Sequence, residues 1–146
     1  MANNKIHFFE EDIVFTLPQK QKHREWLTDL ATTEGFKIKE LNYIFCTDEY
    51  LHKINVEYLD HDTLTDIITF DNSEIEGKIE GDIFVSIERV RENAETFQTP
   101  FDNELKRVLA HGLLHLCGYK DKTAAEEIEM RQKESFYIQK TLHVKL

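Results

Sequence analysis

Residues 102–117, DNELKRVLAHGLLHLC, constrain this chain more than any other stretch. The spacing is helical, and the second half is nearly all apolar, so this helix must be covered on almost every side and lie at the centre of the fold. Two imidazoles, His111 and His115, are set into that apolar half, four residues apart and therefore on one face, one turn from each other. Gly118 follows, a residue free to take the left-handed backbone that ends a helix and doubles the chain back, and Asp121 comes three residues later. The pattern His-x-x-x-His-x-x-Gly-x-x-Asp has the architecture of a three-ligand metal site: a rigid pair on a helix, a hinge, and a ligand returning after the turn. Three protein ligands leave a fourth position for water, the catalytic form of a zinc site. Without a metal, the same residues read as boundary histidines and a carboxylate near the start of the next helix. Gly112 stands where HExxH metallopeptidases carry their general base, which disfavours peptidase chemistry.

Around that helix there is material for one domain. The 146 residues, 40% of them hydrophobic and including ten Phe and five Tyr, can bury a single core, and residues 1–146 are expected to form one unit. Five Gly, two Pro and no repeat leave no linker to divide it. Residues 6–9 and 13–15 read as short strands. A helix opens at Pro18, with Trp26, Leu27 and Leu30 on its apolar side, and stops at Gly35. Residues 36–46 alternate and then turn continuously apolar at Tyr43-Ile44-Phe45-Cys46, as a strand entering a buried sheet does. Thr47 caps a second helix carrying Leu51, Ile54 and Tyr58. Strands follow at 67–70 and, behind Gly81, at 82–86. A third helix runs from 87 to 97 with Val90 and Ala94 inward. Thr123 and Glu126 form a capping box for a last helix reaching about Leu142. The expected fold is α+β: a small mixed β-sheet packed with about five helices.

Cys46 and Cys117 have no framework spacing, so no structural disulfide is expected and a reducing compartment, the cytoplasm, is the default. The N-terminal stretch lacks a signal-peptide pattern, and no run approaches a membrane span, so no membrane partner is expected. The net charge of −10 opposes broad adhesion to polyanions, DNA included. Lys106, Arg107, Lys120 and Lys122, against Asp121 alone, make residues 105–122 a local basic exception suited to phosphate.

The stretch HGLLHLCGYKDK resembles the HGxLHLxGYDH motif of the YbeY family of rRNA maturation factors, metal-dependent endoribonucleases. Asn55 and Tyr58 fall in the family's LNxxYR segment, Thr65–Phe70 resembles its PTDVLSF stretch, and Gly81-Asp82-Ile83 its GDI strand. Met130 and Glu134 fall where the family has Met and Glu. The resemblance covers roughly residues 41–140, in order. It implies one Zn²⁺ per chain, held by His111, His115 and Asp121, with His111 and His115 as catalytic residues. It also implies cleavage of single-stranded RNA in ribosomal RNA maturation at the small-subunit 3′ end and in ribosome quality control. The partners would be ribosomal RNA and the ribosome or small-subunit proteins.

Two departures accompany the match. Asp121 stands where the family motif has its third His, and its charge makes the ion a weaker acid toward water. Leu59 stands for the family's Arg and Leu64 for its Pro, so a phosphate-binding guanidinium must come from elsewhere. The competing expectations are a metal-dependent hydrolase of another substrate, and a ribosome-associated binding factor with a structural metal. Asp66 and Asp82 are candidates to orient the imidazoles or else strand-start turn residues. Glu134 is a candidate base or ligand-orienting group, or else solvent-facing. His7, His23, His52, His61 and His143 lack ligand spacing, and Cys117 projects about 200° from His115 around the helix.

Overall fold

The computed structural model describes residues 5–59 and 65–144, the side chains of 58, 59 and 141–144 excepted. The elements in chain order are β1 (Ile6–Glu11), α1 (Lys20–Thr33), β2 (Lys37–Cys46), α2 (Asp48–Leu59), β3 (Ile67–Asp71), β4 (Lys78–Ser86), α3 (Ile87–Thr96), α4 (Phe101–Leu116) and α5 (Ala124–Val144). The sheet order is β1-β2-β4-β3. β1, β2 and β4 run parallel, and β3 returns antiparallel to β4 as an edge strand. This is the mixed sheet of an α+β fold, and the described residues include five helices.

Both faces of the sheet are covered where β2 turns continuously apolar. Leu41, Tyr43 and Phe45 join the main core with Ile83 and Val85 of β4, Leu27 and Leu30 of α1, and Leu109, Leu113 and Leu114 of α4. On the opposite face Cys46, Leu51, Ile54 and Ile68 form a smaller cluster under α2. A half-exposed strand would alternate; this one reads apolar at every position because each side of the sheet has its own helix to meet.

Helix α4 is central, as its composition requires. It is packed between α3 and α5 and against the sheet, and the Tyr43 hydroxyl donates to the Leu109 carbonyl at 2.9 Å. Gly112 makes the approach to the sheet possible: a Cβ there would lie 2.8 Å from Ile67 Cδ1 and 3.0 Å from two atoms of Ile83. A glutamate at that position has no room, which gives a steric reason for the missing HExxH base.

Three local expectations change. Residues 13–15 are not a strand: β1 is an edge whose last pair is Glu11 with Cys46, the end of β2, so the chain beyond has no partner to extend along. Asp12 then takes φ 61° and turns it away. β4 begins at Lys78 rather than behind Gly81, because it continues its pairing with β2 as far as Lys37. α1 starts at Lys20, after Gln19 in a left-handed conformation. The capping expectations are met. Thr47 Oγ1 accepts from the Tyr50 amide at 3.1 Å, and Thr123 and Glu126 exchange reciprocal bonds at 3.1 and 3.0 Å. No described helix is long and apolar enough to cross a membrane.

Candidate metal centre

Helix geometry places His111 and His115 on one face, and a specific C-terminal turn brings Asp121 back to them. Gly118 adopts φ 105°; its amide donates to the His115 carbonyl at 3.0 Å and the Tyr119 amide to the Leu114 carbonyl at 3.1 Å. This is a Schellman motif, which needs a residue free to take positive φ just past the helix end. The reversed chain carries Asp121 to 3.2 Å from His111 Nε2 and 3.3 Å from His115 Nε2, both measured to Oδ2. The two Nε2 atoms are 3.0 Å apart.

Each imidazole is fixed through its other nitrogen. His111 Nδ1 lies 2.6 Å from Glu134 Oε2, and His115 Nδ1 lies 2.9 Å from the Tyr119 carbonyl oxygen. A carboxylate and a carbonyl only accept, so both rings carry a proton on Nδ1, and in the neutral form each turns an Nε2 lone pair inward. Glu134, only 2% exposed, is held in turn by Arg107 Nη1 at 3.0 Å from its other oxygen. Burial disfavours a charge on His111, but the Glu134 hydrogen bond and the charges of Glu134, Asp121 and Asp66 outweigh it and raise the imidazole above its ordinary value.

With both imidazoles neutral, two nitrogen lone pairs and a carboxylate oxygen converge within 3.0–3.3 Å, a repulsion that a proton or a metal cation among them relieves. A tetrahedral zinc with bonds of about 2.0–2.1 Å spaces its ligands about 3.3–3.4 Å apart. The three donors fit a divalent ion in chemistry and in spacing. Among the described residues no other group of three or more His, Cys, Asp or Glu side chains converges in this way. Asp121 is 39% exposed, so this side of the triad is open to solvent.

The triad sits in a cleft of about 490 Å³, lined in addition by Thr65, Asp66, Thr69, Asn93, Phe97 and Met130, among others. Its charges differ from the sequence expectation. Lys106, Lys120 and Lys122 do not line it; the cations that do are Arg107 and Arg131, and Arg107 is occupied by Glu134 and, at 3.6 Å, by Glu104. Asp66, Glu104, Glu127 and Glu134 join Asp121 in the lining. Burial pushes the carboxyls of Asp66 and Glu104 up from their ordinary values.

The other candidates separate cleanly. Asp66 enters the cleft. Asp82 does not: it accepts from Asn42 Nδ2 at 2.9 Å across the β2–β4 pair. Cys117 lies in a different depression with Glu34 and Phe36, its thiol pushed up to about 12 by burial. His23 is buried with Nδ1 3.0 Å from the Gln19 carbonyl. His61 and Leu64 lie outside the described residues, as do the side chains of Leu59 and His143. Sequence reasoning missed the Tyr119 carbonyl and Arg131. The first is a backbone atom with no residue-type signal. The second lies in the polar run of α5, where the order of residues does not tell the cleft face from the solvent face.

The comparisons with known proteins converge on one family. A family model described as Endoribonuclease YbeY matches residues 5–142. A protein of Cytophaga hutchinsonii named Endoribonuclease YbeY is 58% identical over 134 residues, covering 92% of this chain and 94% of that protein. One of the same name from Christiangramia forsetii is 53% identical, covering 92% of each. The solution structure of a Thermotoga maritima protein superposes with a TM-score of 0.65 at 28% identity, covering 92% of this chain and 87% of that one. A cleft built on the HGLLH helix and its return loop, in a chain matched along nearly its whole length, places the protein in the YbeY family.

Proposed function

We propose that this chain acts as a single-domain, zinc-dependent endoribonuclease of the cytoplasm, cutting single-stranded RNA in ribosomal RNA maturation at the small-subunit 3′ end and in ribosome quality control. The observation that carries the reading is the convergence of His111, His115 and Asp121 in an open cleft, in a chain whose relatives are named endoribonucleases. These three residues would hold Zn²⁺, which when bound supplies a Lewis acid for phosphoryl oxygens and brings the pKa of water down toward about 7.

The chain's own residues account for the rest. Glu134 and the Tyr119 carbonyl lock the imidazole tautomers, and Arg107 holds Glu134 in place without reaching for substrate. Arg131, exposed on the lining, is the cation available to a phosphate and answers the loss of the family arginine at Leu59. The open side of the triad favours this reading over a structural metal, since structural zinc sites are closed by four protein ligands.

The test is to incubate zinc-loaded wild type and His115→Ala with an RNA that has a duplex stem and single-stranded arms. The expected result is internal cuts in the arms by wild type, abolished by chelation and absent in His115→Ala. Equal cutting by both proteins would identify a contaminating nuclease. Hydrolysis of an ester or amide with RNA left intact would favour the other hydrolase, and ribosome binding without cutting would favour the binding factor.

A further inference from the structure

One lining residue of the cleft serves neither the metal ligands nor the core. Helix α3 buries Ile87, Val90 and Ala94, and by spacing Phe97 is the next member of that stripe. The residue is nevertheless 56% exposed and lines the same cleft as His111, His115 and Asp121. Asn93, one turn earlier, lines the cleft as well, and so does Arg131 from α5. The remaining lining is largely polar, so the ring is not part of an apolar patch awaiting a protein partner.

An exposed aromatic face accompanied by an amide and a guanidinium is a complete kit for an unpaired nucleotide. The ring stacks on the base, the amide reaches a base edge and the cation meets a phosphate. A base inside a duplex already has neighbours on both faces and reaches such a ring only by being flipped out of the stack. We propose that Phe97 is the base-stacking residue of this cleft and that it sets the preference for single-stranded over duplex RNA. The proposal rests on the ribonuclease reading above.

The experiment uses the zinc-loaded full chain as wild type, Phe97→Ala, Phe97→Leu and Phe97→Trp. The probes are a labelled single-stranded oligoribonucleotide, its duplex, and an oligomer of equal length with abasic positions. Stacking predicts that Phe97→Ala and Phe97→Leu bind the single strand about tenfold more weakly or worse, with KM raised and kcat little changed. Duplex and abasic binding should stay at wild-type level. Phe97→Trp should retain affinity, and its exposed indole should be quenched by the single strand alone; the native Trp26, 7% exposed, reports no such change. Single-strand affinity in Phe97→Ala equal to wild type, in a protein that cuts RNA, overturns the stacking role and leaves the ribonuclease reading standing. Equal losses for single strand and abasic oligomer also overturn it, since they would show packing rather than stacking. A wild type that neither binds nor cuts RNA overturns the ribonuclease reading and this inference with it.

Discussion

Glu134 shows how much of the centre depends on a residue that is not a ligand. Its carboxylate spans from His111 Nδ1 to Arg107, and at 2% exposure it has little access to water as an alternative partner. Replacing it by Gln keeps an acceptor for the Nδ1 proton but removes the charge that makes the imidazole a stronger donor to an ion. Partners of this kind are typically worth about 10–100-fold in metal affinity. Glu134→Gln should therefore bind zinc weaker by about that range in competition with a chromophoric chelator, and affinity equal to wild type would count against the relay. His111→Ala and Asp121→Ala should lose stoichiometric metal outright. At this scale the convergence of His111, His115 and Asp121 was legible because type and spacing carry the signal: two His at i and i+4, a glycine, an aspartate. The supports were less so. Arg107 reads as a free cation in a basic stretch, and only folding shows it bound to Glu134 and Glu104.

At the scale of elements, α4 owes its place to two glycines with opposite demands. Gly118 is needed for its backbone, since φ 105° costs an L-residue about 1–2 kcal/mol. Gly118→Ala should lower stability by about that amount in urea unfolding and also weaken zinc binding, because the turn that it strains carries Asp121. Gly112 is needed for its lack of a side chain. Gly112→Glu would drive a carboxylate into Ile67 and Ile83, and the expected outcome is loss of soluble folded protein, read by expression and circular dichroism. The helices and both caps were legible because capping and periodicity are local. The misplaced strand at 13–15 and the late start given to β4 share one cause. Strand limits are set by where a neighbouring strand begins and ends, here β2, and that information lies roughly 35 to 40 residues away in sequence.

Across the whole molecule, Glu34 ties the return loop to the rest of the fold and makes its stability depend on pH. It stands at the C-terminal end of α1 and accepts from the Tyr119 hydroxyl at 2.7 Å, from Tyr137 and from Lys133 at 3.3 Å. Burial raises its pKa, but these three hydrogen bonds and the Lys133 charge prevail and hold the carboxyl below its ordinary value. A carboxyl that is more acidic folded than unfolded contributes stability above the unfolded value, about 4.3 for Glu, and loses it as pH falls through the lower folded value. Glu34→Gln should be less stable at pH 7 by about 1–3 kcal/mol, and its urea midpoint should fall less steeply than wild type below about pH 4.5. Parallel profiles would exclude the role. The net charge of −10 belongs to the same scale and limits how RNA can be held. Acidic groups outnumber arginines even in the cleft, and Arg107 is already paired, so few phosphates find a cation. Counterion release scales with phosphates neutralised, at about 0.7 per phosphate for a single strand, so one or two contacts predict a log–log salt slope of only about −0.7 to −1.4. Arg131→Ala should flatten that slope by about one contact, while Lys120→Ala and Lys122→Ala, outside the cleft, should leave it unchanged. Titrating a labelled single strand at several salt concentrations measures it, and a slope of about −4 or steeper would mean that RNA follows a basic path beyond this cleft.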